Sequence, residues 1–143
     1  MAAQNYANHR RFVPMYHGVL FGLLLVTLIG AINNLRRSIG TDVLYSASLI
    51  VVLVLINCFL FFFCRMFALK AQDRAIRAEE NLRHFILAGK PLDGRLTIRQ
   101  VIGLRFAADA EFVELARRAA EEGLSENAIK KAIKAWKADE YRV

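Results

Sequence analysis

The residues of this chain that could do chemistry are few and scattered. His9, His17 and His84 are its three histidines. A haem or metal site needs imidazoles at ligand spacing, with cysteines or carboxylates beside them. Only His9 and His17 lie close enough along the chain to meet at one surface. Cys58 and Cys64 are six residues apart in an apolar run, which puts them on different faces of a helix. Small apolar packing is their expected role, and that spacing speaks against an exported disulfide framework. There is no glycine loop shaped for phosphate and no serine-nucleophile motif. The expectation is a protein with no catalytic residue, no cofactor and no metal, and so not an enzyme.

The remaining chemistry is charge. Lys130, Lys131, Lys134 and Lys137 recur on one face of a helix expected over Glu126 to Lys137. The segment before it is acidic, with Asp109, Glu111, Glu114, Glu121 and Glu122 against Arg117 and Arg118. Three readings fit this sign change. The surface is solvated and pairs acid with base inside the chain. Or the lysines face anionic lipid headgroups, each contributing up to about 1 kcal/mol near the surface. Or they lie on a recognition helix, since Ala119, Gly123 and Ile129 have helix-turn-helix spacing. That last helix has no base-reading side chains beyond Ser125 and Asn127, so nucleic acid is not expected as a partner.

Positioning these residues falls to a chain of two compositions. Of 143 residues, 56% are apolar and the net charge is +7. Mean hydropathy is +0.31, high for a water-soluble domain of this size. The apolar excess lies between Phe12 and Leu69, and the chain from Lys70 on is ordinarily charged. Residues 12–32 and 43–69 are each long and apolar enough to cross a bilayer, whose hydrocarbon core is about 30 Å thick. Pro14 falls in the first turn of the first span, where its missing N–H costs nothing. Tyr16 and His17 sit where amphipathic rings favour the headgroups. The first run is too long for a signal-peptide core and lacks a clear cleavage site, so an uncleaved span is expected. Arg65 can snorkel from the end of the second span. Residues 33–42 read as a hairpin loop, with Thr41 or Asp42 as N-cap of the second helix. Basic residues on the outer flanks (Arg10, Arg11, Arg65, Lys70, Arg74, Arg77) outnumber the loop's Arg36 and Arg37, which predicts both termini in the cytoplasm.

No glycine or proline interrupts Thr41 to Ala88, and Gly89 and Pro91 follow. One continuous helix of about 70 Å is expected, running from oil into water. It would hold the C-terminal part as a rigid stalk, or simply overrun the membrane by some turns. Acid-first pairs Asp73–Arg77 and Glu79–Arg83 support its polar half weakly. Ile76, Leu82, Phe85 and Ile86 give it an apolar stripe that needs a partner, from this chain or a second copy. Beyond it, Thr97 with Gln100 forms a capping box for a helix to about Ala107. Asp109 is expected to cap Ala110–Glu122, ended by Gly123, and Ser125 to cap the third helix. In the spans, Gly18 and Gly22 form a GxxxG, and Asn57 can bridge to Thr27 or the backbone of the first span, or else to another subunit.

Residues Gln4, Asn5, Tyr6, Asn8 and His9, with Ile129, Lys130, Ala132, Ile133, Lys134, Trp136, Arg142 and Val143, carry a resemblance. The chain resembles a family of short bacterial two-span membrane proteins of unknown function, with a Gln-Asn-Tyr-x-Asn-His start and an Ile-Lys-x-Ala-Ile-Lys-x-Trp end closing on Arg-Val. The resemblance implies a bacterial inner-membrane location and brings no site residue. The expected fold is all-α. It has a polar segment over 1–11, a transmembrane hairpin over 12–69, and a cytoplasmic stalk with three short helices over 70–143. The expected role is that of a scaffold or accessory subunit. Its partners would be membrane lipids and either copies of itself or a larger membrane complex.

Overall fold

The computed structural model describes residues 5–8 and 12–138. The motif residues Gln4, His9, Arg142 and Val143 and the flanking Arg10 and Arg11 lie outside them, so the proposed meeting of His9 with His17 does too. Among the described residues there are five α-helices, one π-helical segment and no strand. The chain divides into two compact units, Arg11–Phe67 and Ala68–Val143 with Met1–Arg10.

The first unit is a helical hairpin. A π-helical segment, Met15–Leu20, leads into α1, Phe21–Arg37, and α2 begins at Leu44. Pro14 stands at the N-cap of the π-helical segment. His17 Nδ1 lies 3.1 Å from both the Val13 N–H and the Val13 carbonyl, so the ring serves one of these two backbone groups at the helix start. The ten-residue loop expected over 33–42 is shorter, because α1 winds on through Asn33, Asn34 and the arginine pair to Arg37. Ser38 closes it, bonding its hydroxyl back to Asn34 O at 2.9 Å. Neither Thr41 nor Asp42 caps α2 as expected. The Thr41 hydroxyl is turned to Ser38 O at 2.7 Å, and the first helical bond runs from Ala47 to Val43.

Within the hairpin, the less exposed positions of α2 include Ala47, Val51, Val54, Cys58, Phe61 and Arg65. Those of α1 include Leu24, Leu28, Ala31 and Leu35. Both series alternate steps of four and three, the seam spacing of left-handed helix pairs in water and in membranes. Ala31 and Ala47 are the most buried apolar side chains near the turn, and small residues there let the backbones approach. At the other end, Tyr16 stacks on Phe61 with ring centroids 4.2 Å apart and donates its hydroxyl to the Phe61 carbonyl. The Arg65 guanidinium lies 5.7 Å from the same Tyr16 ring.

The helix α2 runs unbroken from Leu44 to Ala88, as the absence of glycine and proline predicts. Gly89, at φ 69°, ends it, with its N–H on Phe85 O at 2.9 Å.

In the second unit, α3 (Ile98–Leu104), α4 (Asp109–Glu122) and α5 (Glu126–Ala132) follow. Their core holds Leu96, Val101, Leu104, Phe106, Phe112, Ala119 and Ile129, together with Ile76 from α2. The capping box of Thr97 and Gln100 is present, and Ser125 Oγ accepts from Ala128 N as expected. Gly123 takes φ 63° and ends α4 as expected. Asp109 is the first residue of α4 rather than its cap, a place that still sets its charge against the helix dipole. At Gly103, a Cβ would meet Glu126 O at 3.2 Å and Ile129 Cγ2 at 3.3 Å, so the missing side chain is what lets α3 and α5 approach.

The third short helix departs most from expectation. It stops at Ala132, and Ile133 is extended at φ −67°, ψ 124°. Nonlocal bonds take the chain over from there. Ala108 N donates to Ala135 O at 3.0 Å and Lys137 N to Phe106 O at 2.7 Å, forming a bridge between Ala107 and Trp136. Glu111 accepts from the backbone N–H groups of Lys134 and Ala135 at 3.2 and 3.0 Å. Trp136 reaches its neighbour Phe106, 5.2 Å between centroids, from an extended segment and not from a helix face.

Candidate functional site

One dense polar cluster of the second unit is built round Arg83, near the end of α2. Its Nε donates to Asp109 Oδ1 at 2.7 Å, Nη1 to Glu80 Oε2 at 2.9 Å, and Nη2 to the Ala107 carbonyl at 2.7 Å. The plane lies over the Phe112 ring at 4.2 Å. Each element supplies one part. The helix α2 brings Glu80 and Arg83 one turn apart, the bridge to Trp136 fixes the Ala107 carbonyl, and α4 brings Asp109 and Phe112. A planar fork can meet two carboxylates, a carbonyl and an aromatic face together, which an ammonium cannot. The Glu80 and Arg83 side chains are only 9% and 11% exposed, so this is a desolvated pair.

Next to it, His84 Nδ1 is 2.7 Å from Lys90 O, and its ring stands edge-on to Phe112 at 6.0 Å. A carbonyl only accepts, so Nδ1 carries the proton. Asn81 Oδ1 accepts from Leu92 N at 2.9 Å. Thus Asn81 and His84, one turn apart on α2, satisfy the backbone of the loop that follows it. A cleft of about 220 Å³ opens beside His84, lined also by Lys90, Asp93, Leu96, Glu114 and Arg117. Its acids are occupied. Asp93 pairs with Arg95 at 2.7 Å, and Glu114 with Arg117 at 2.7 Å. No paired carboxylates or nucleophile–base contact is formed there, and among the described residues no group of three His, Cys, Asp or Glu could hold a metal ion.

The hydrogen bonds from Arg95 hold the Asp93 carboxyl down to about 2. Glu114 is likewise lowered by its hydrogen bond to Arg117. A carboxylate with a depressed folded pKa contributes stability that is present above its unfolded value and lost as pH falls through the folded one. Carbon-13 titration should therefore place the Asp93 midpoint near 2. In Arg95→Ala the midpoint should return to the ordinary range near 4. An unchanged midpoint would dissolve the pairing.

The residues expected from sequence to form sites are placed differently. On the stalk, Ile76 is buried in the core, but Leu82, Phe85 and Ile86 are 60%, 54% and 73% exposed. The docked face is instead Ile76, Glu80, Arg83 and His84, because the loop after α2 and the start of α4 present carbonyls, an N–H and a carboxylate that need polar partners. Arg83 serves Glu80 and Asp109, not Glu79 as the i,i+4 rule suggested. In the spans, a Cβ at Gly18 or Gly22 would meet nothing within 4 Å, so the GxxxG is no contact between α1 and α2. Within the chain, Asn57 does not bridge to α1. Its Nδ2 donates to Leu53 O of its own helix at 2.8 Å.

The basic face is not a helical stripe. Lys130 is buried, its Nζ 2.6 Å from Glu126, while Lys134 and Lys137 lie past the end of α5. Lys131 is exposed, with Nζ 5.6 Å from the Tyr6 ring. The recognition-helix geometry therefore does not form. Arg83 and Gln100 are the residues whose weight sequence reasoning missed. A buried charge surrounded by partners distant along the chain leaves no local signal.

The model for a family of unknown function (DUF6526) matches residues 1–143 of this chain. The chain belongs to that family. The match takes in both ends on which the resemblance rested, and all of the module just described. No curated protein and no solved structure matches the chain. In this DUF6526 member the Arg83 junction joins α2 to α4 and to the Ala107 backbone. It is a structural lock between the end of α2 and the helices that follow.

Proposed function

We propose that this protein is a non-enzymatic accessory or scaffold subunit of the bacterial inner membrane. The hairpin anchors it, both termini face the cytoplasm, and the α3–α5 module with the end of α2 is the part that meets partners. One observation carries the anchoring. The two helices long and apolar enough to cross a membrane have only 6% and 11% of their apolar windows buried. A core helix of a water-soluble protein hides such a surface, whereas here Leu23, Val26, Ile29, Leu53, Phe59 and Phe62 are all about 60% exposed or more. Lipid is the solvent that suits those faces. The scaffold role is supported by the module, whose Asp93, Glu114, Glu121, Glu122 and Glu126 pair with its own basic side chains.

Two measurements test this. Alkaline carbonate should leave the protein in the membrane pellet, and mild detergent should release it with copies of itself or with another membrane protein. Release by carbonate sinks the anchor. A strictly monomeric, partnerless particle sinks the scaffold. A reporter thiol at Gly40 should react from the outer side only, and labelling from the cytoplasmic side reverses the orientation.

A further inference from the structure

The face of α2 that the module leaves uncovered has a heptad pattern of its own. Ala71, Ala75, Ala78, Leu82 and Phe85 are all exposed. They follow steps of four, three, four and three, and lie opposite Ile76, Glu80 and Arg83, which dock on the module. We propose that this face is the seam of a parallel two-stranded coiled coil with a second copy of this chain. Ala75 and Leu82 take the a positions, and Ala71, Ala78 and Phe85 the d positions. The inference deepens the scaffold reading above and rests on it, because copies inserted with one orientation run α2 in one direction.

Charge favours a second copy over an unrelated partner. With this register, Arg74 is a g position and Glu79 the e position of the next heptad. In a parallel dimer those two positions face one another across the seam, so Arg74 meets the second copy's Glu79, twice by symmetry. Within the chain, Glu79 loses its i,i+4 partner because Arg83 turns to Glu80, Asp109 and the Ala107 carbonyl. Among the described residues neither Arg74 nor Glu79 forms an ion pair, and both are exposed. An antiparallel pair would set g against g and e against e, and would gain nothing from these charges. Three alanines at the first positions let the two backbones come close. Leu82 and Phe85 then supply the apolar area that a short coil needs.

The test is a cysteine scan of the full chain in its own membranes, with Cys58 and Cys64 replaced by alanine. Mild oxidation should join copies at Ala71, Ala75, Ala78, Leu82 and Phe85. Arg77→Cys and Leu87→Cys, exposed but off the seam, should stay monomeric. In the Ala78→Cys background, Arg74→Glu and Glu79→Arg should each lower the yield about fivefold or more, and the double swap should restore it. Yields that do not vary round the helix, that peak at Arg77 and Leu87, or that are absent throughout overturn the seam. So do adducts to other proteins with no self-adduct. Rescue failing in the double swap overturns the parallel register. The same membranes are washed with alkaline carbonate. A chain that stays in the pellet but does not cross-link loses the seam and keeps its anchor, whereas a chain that washes out loses the anchor whatever the scan shows.

Discussion

Replacing Arg83 with alanine is expected to destabilise the second unit by about 3–5 kcal/mol, the range for removing one partner of a buried pair. The reason is less the lost attraction than the residue left behind. Glu80 is 7% exposed, and without Arg83 its carboxylate has no cation within the desolvated pocket. The Ala107 carbonyl loses its donor as well, beside the bridge that holds Trp136. The Asp109 arm contributes little, since that carboxylate is 66% exposed and screened by water. Trp136 is the only tryptophan in the chain and packs on Phe106, so its fluorescence reports on this unit. Denaturant midpoints followed by Trp136 should fall sharply in Arg83→Ala. Arg83→Lys should recover only a fraction, because an ammonium keeps the charge but cannot reach Glu80, the carbonyl and the ring together. Arg83→Ala with Glu80→Ala should be less damaged than the first substitution alone. A single variant within about 0.5 kcal/mol of the parent would mean the cluster is decoration.

This contrast between Arg83 and its greasy neighbours shows what the sequence could reveal. Devices that act over three or four residues were legible. The capping box at Thr97, the serine cap at Ser125, the left-handed Gly123 and the uninterrupted helix to Ala88 all stand where local chemistry puts them. Devices that depend on distant backbone were not. The pattern Ile129, Ala132, Ile133, Trp136 reads as a helix face, yet the chain leaves the helix at Ala132. The carbonyls of Phe106 and Ala135 and the carboxylate of Glu111 offer its backbone better partners than another turn would. Likewise Leu82, Phe85 and Ile86 read as a stripe that needs a partner because they are apolar, yet the module does not cover them. The loop from Gly89 to Leu96 and the start of α4 called for hydrogen bonds, and the polar face met them. The lysine stripe dissolved for the same reason, once Lys130 folded onto Glu126 and the two later lysines left the helix.

Gln100 joins the two kinds of device, and substituting glutamate for it separates them. A capping box accepts glutamate as readily as glutamine, since only the side-chain acceptor is used. Here Oε1 performs that task, taking the Thr97 N–H at 2.8 Å and its hydroxyl at 3.0 Å. The amide Nε2 does something a carboxylate cannot. It donates to Ala119 O and Leu124 O, both at 3.0 Å, satisfying carbonyls at and just beyond the end of α4. Gln100→Glu would set a negative oxygen against two carbonyl oxygens at a site only 8% exposed. A destabilisation of about 3 kcal/mol is expected at neutral pH, the upper end of the range for an unsatisfied buried group. The new carboxyl would have a raised pKa in the folded state. Its penalty should therefore shrink as pH falls below the folded value, where the protonated acid can donate to one of the two carbonyls. Thr97→Ala removes only the cap and should cost about 1 kcal/mol, independent of pH. If Gln100→Glu matches the parent at neutral pH, Gln100 is a helix cap and nothing more. The junction of α3 with α4 must then be held by Leu104, Phe112 and Leu115 without it.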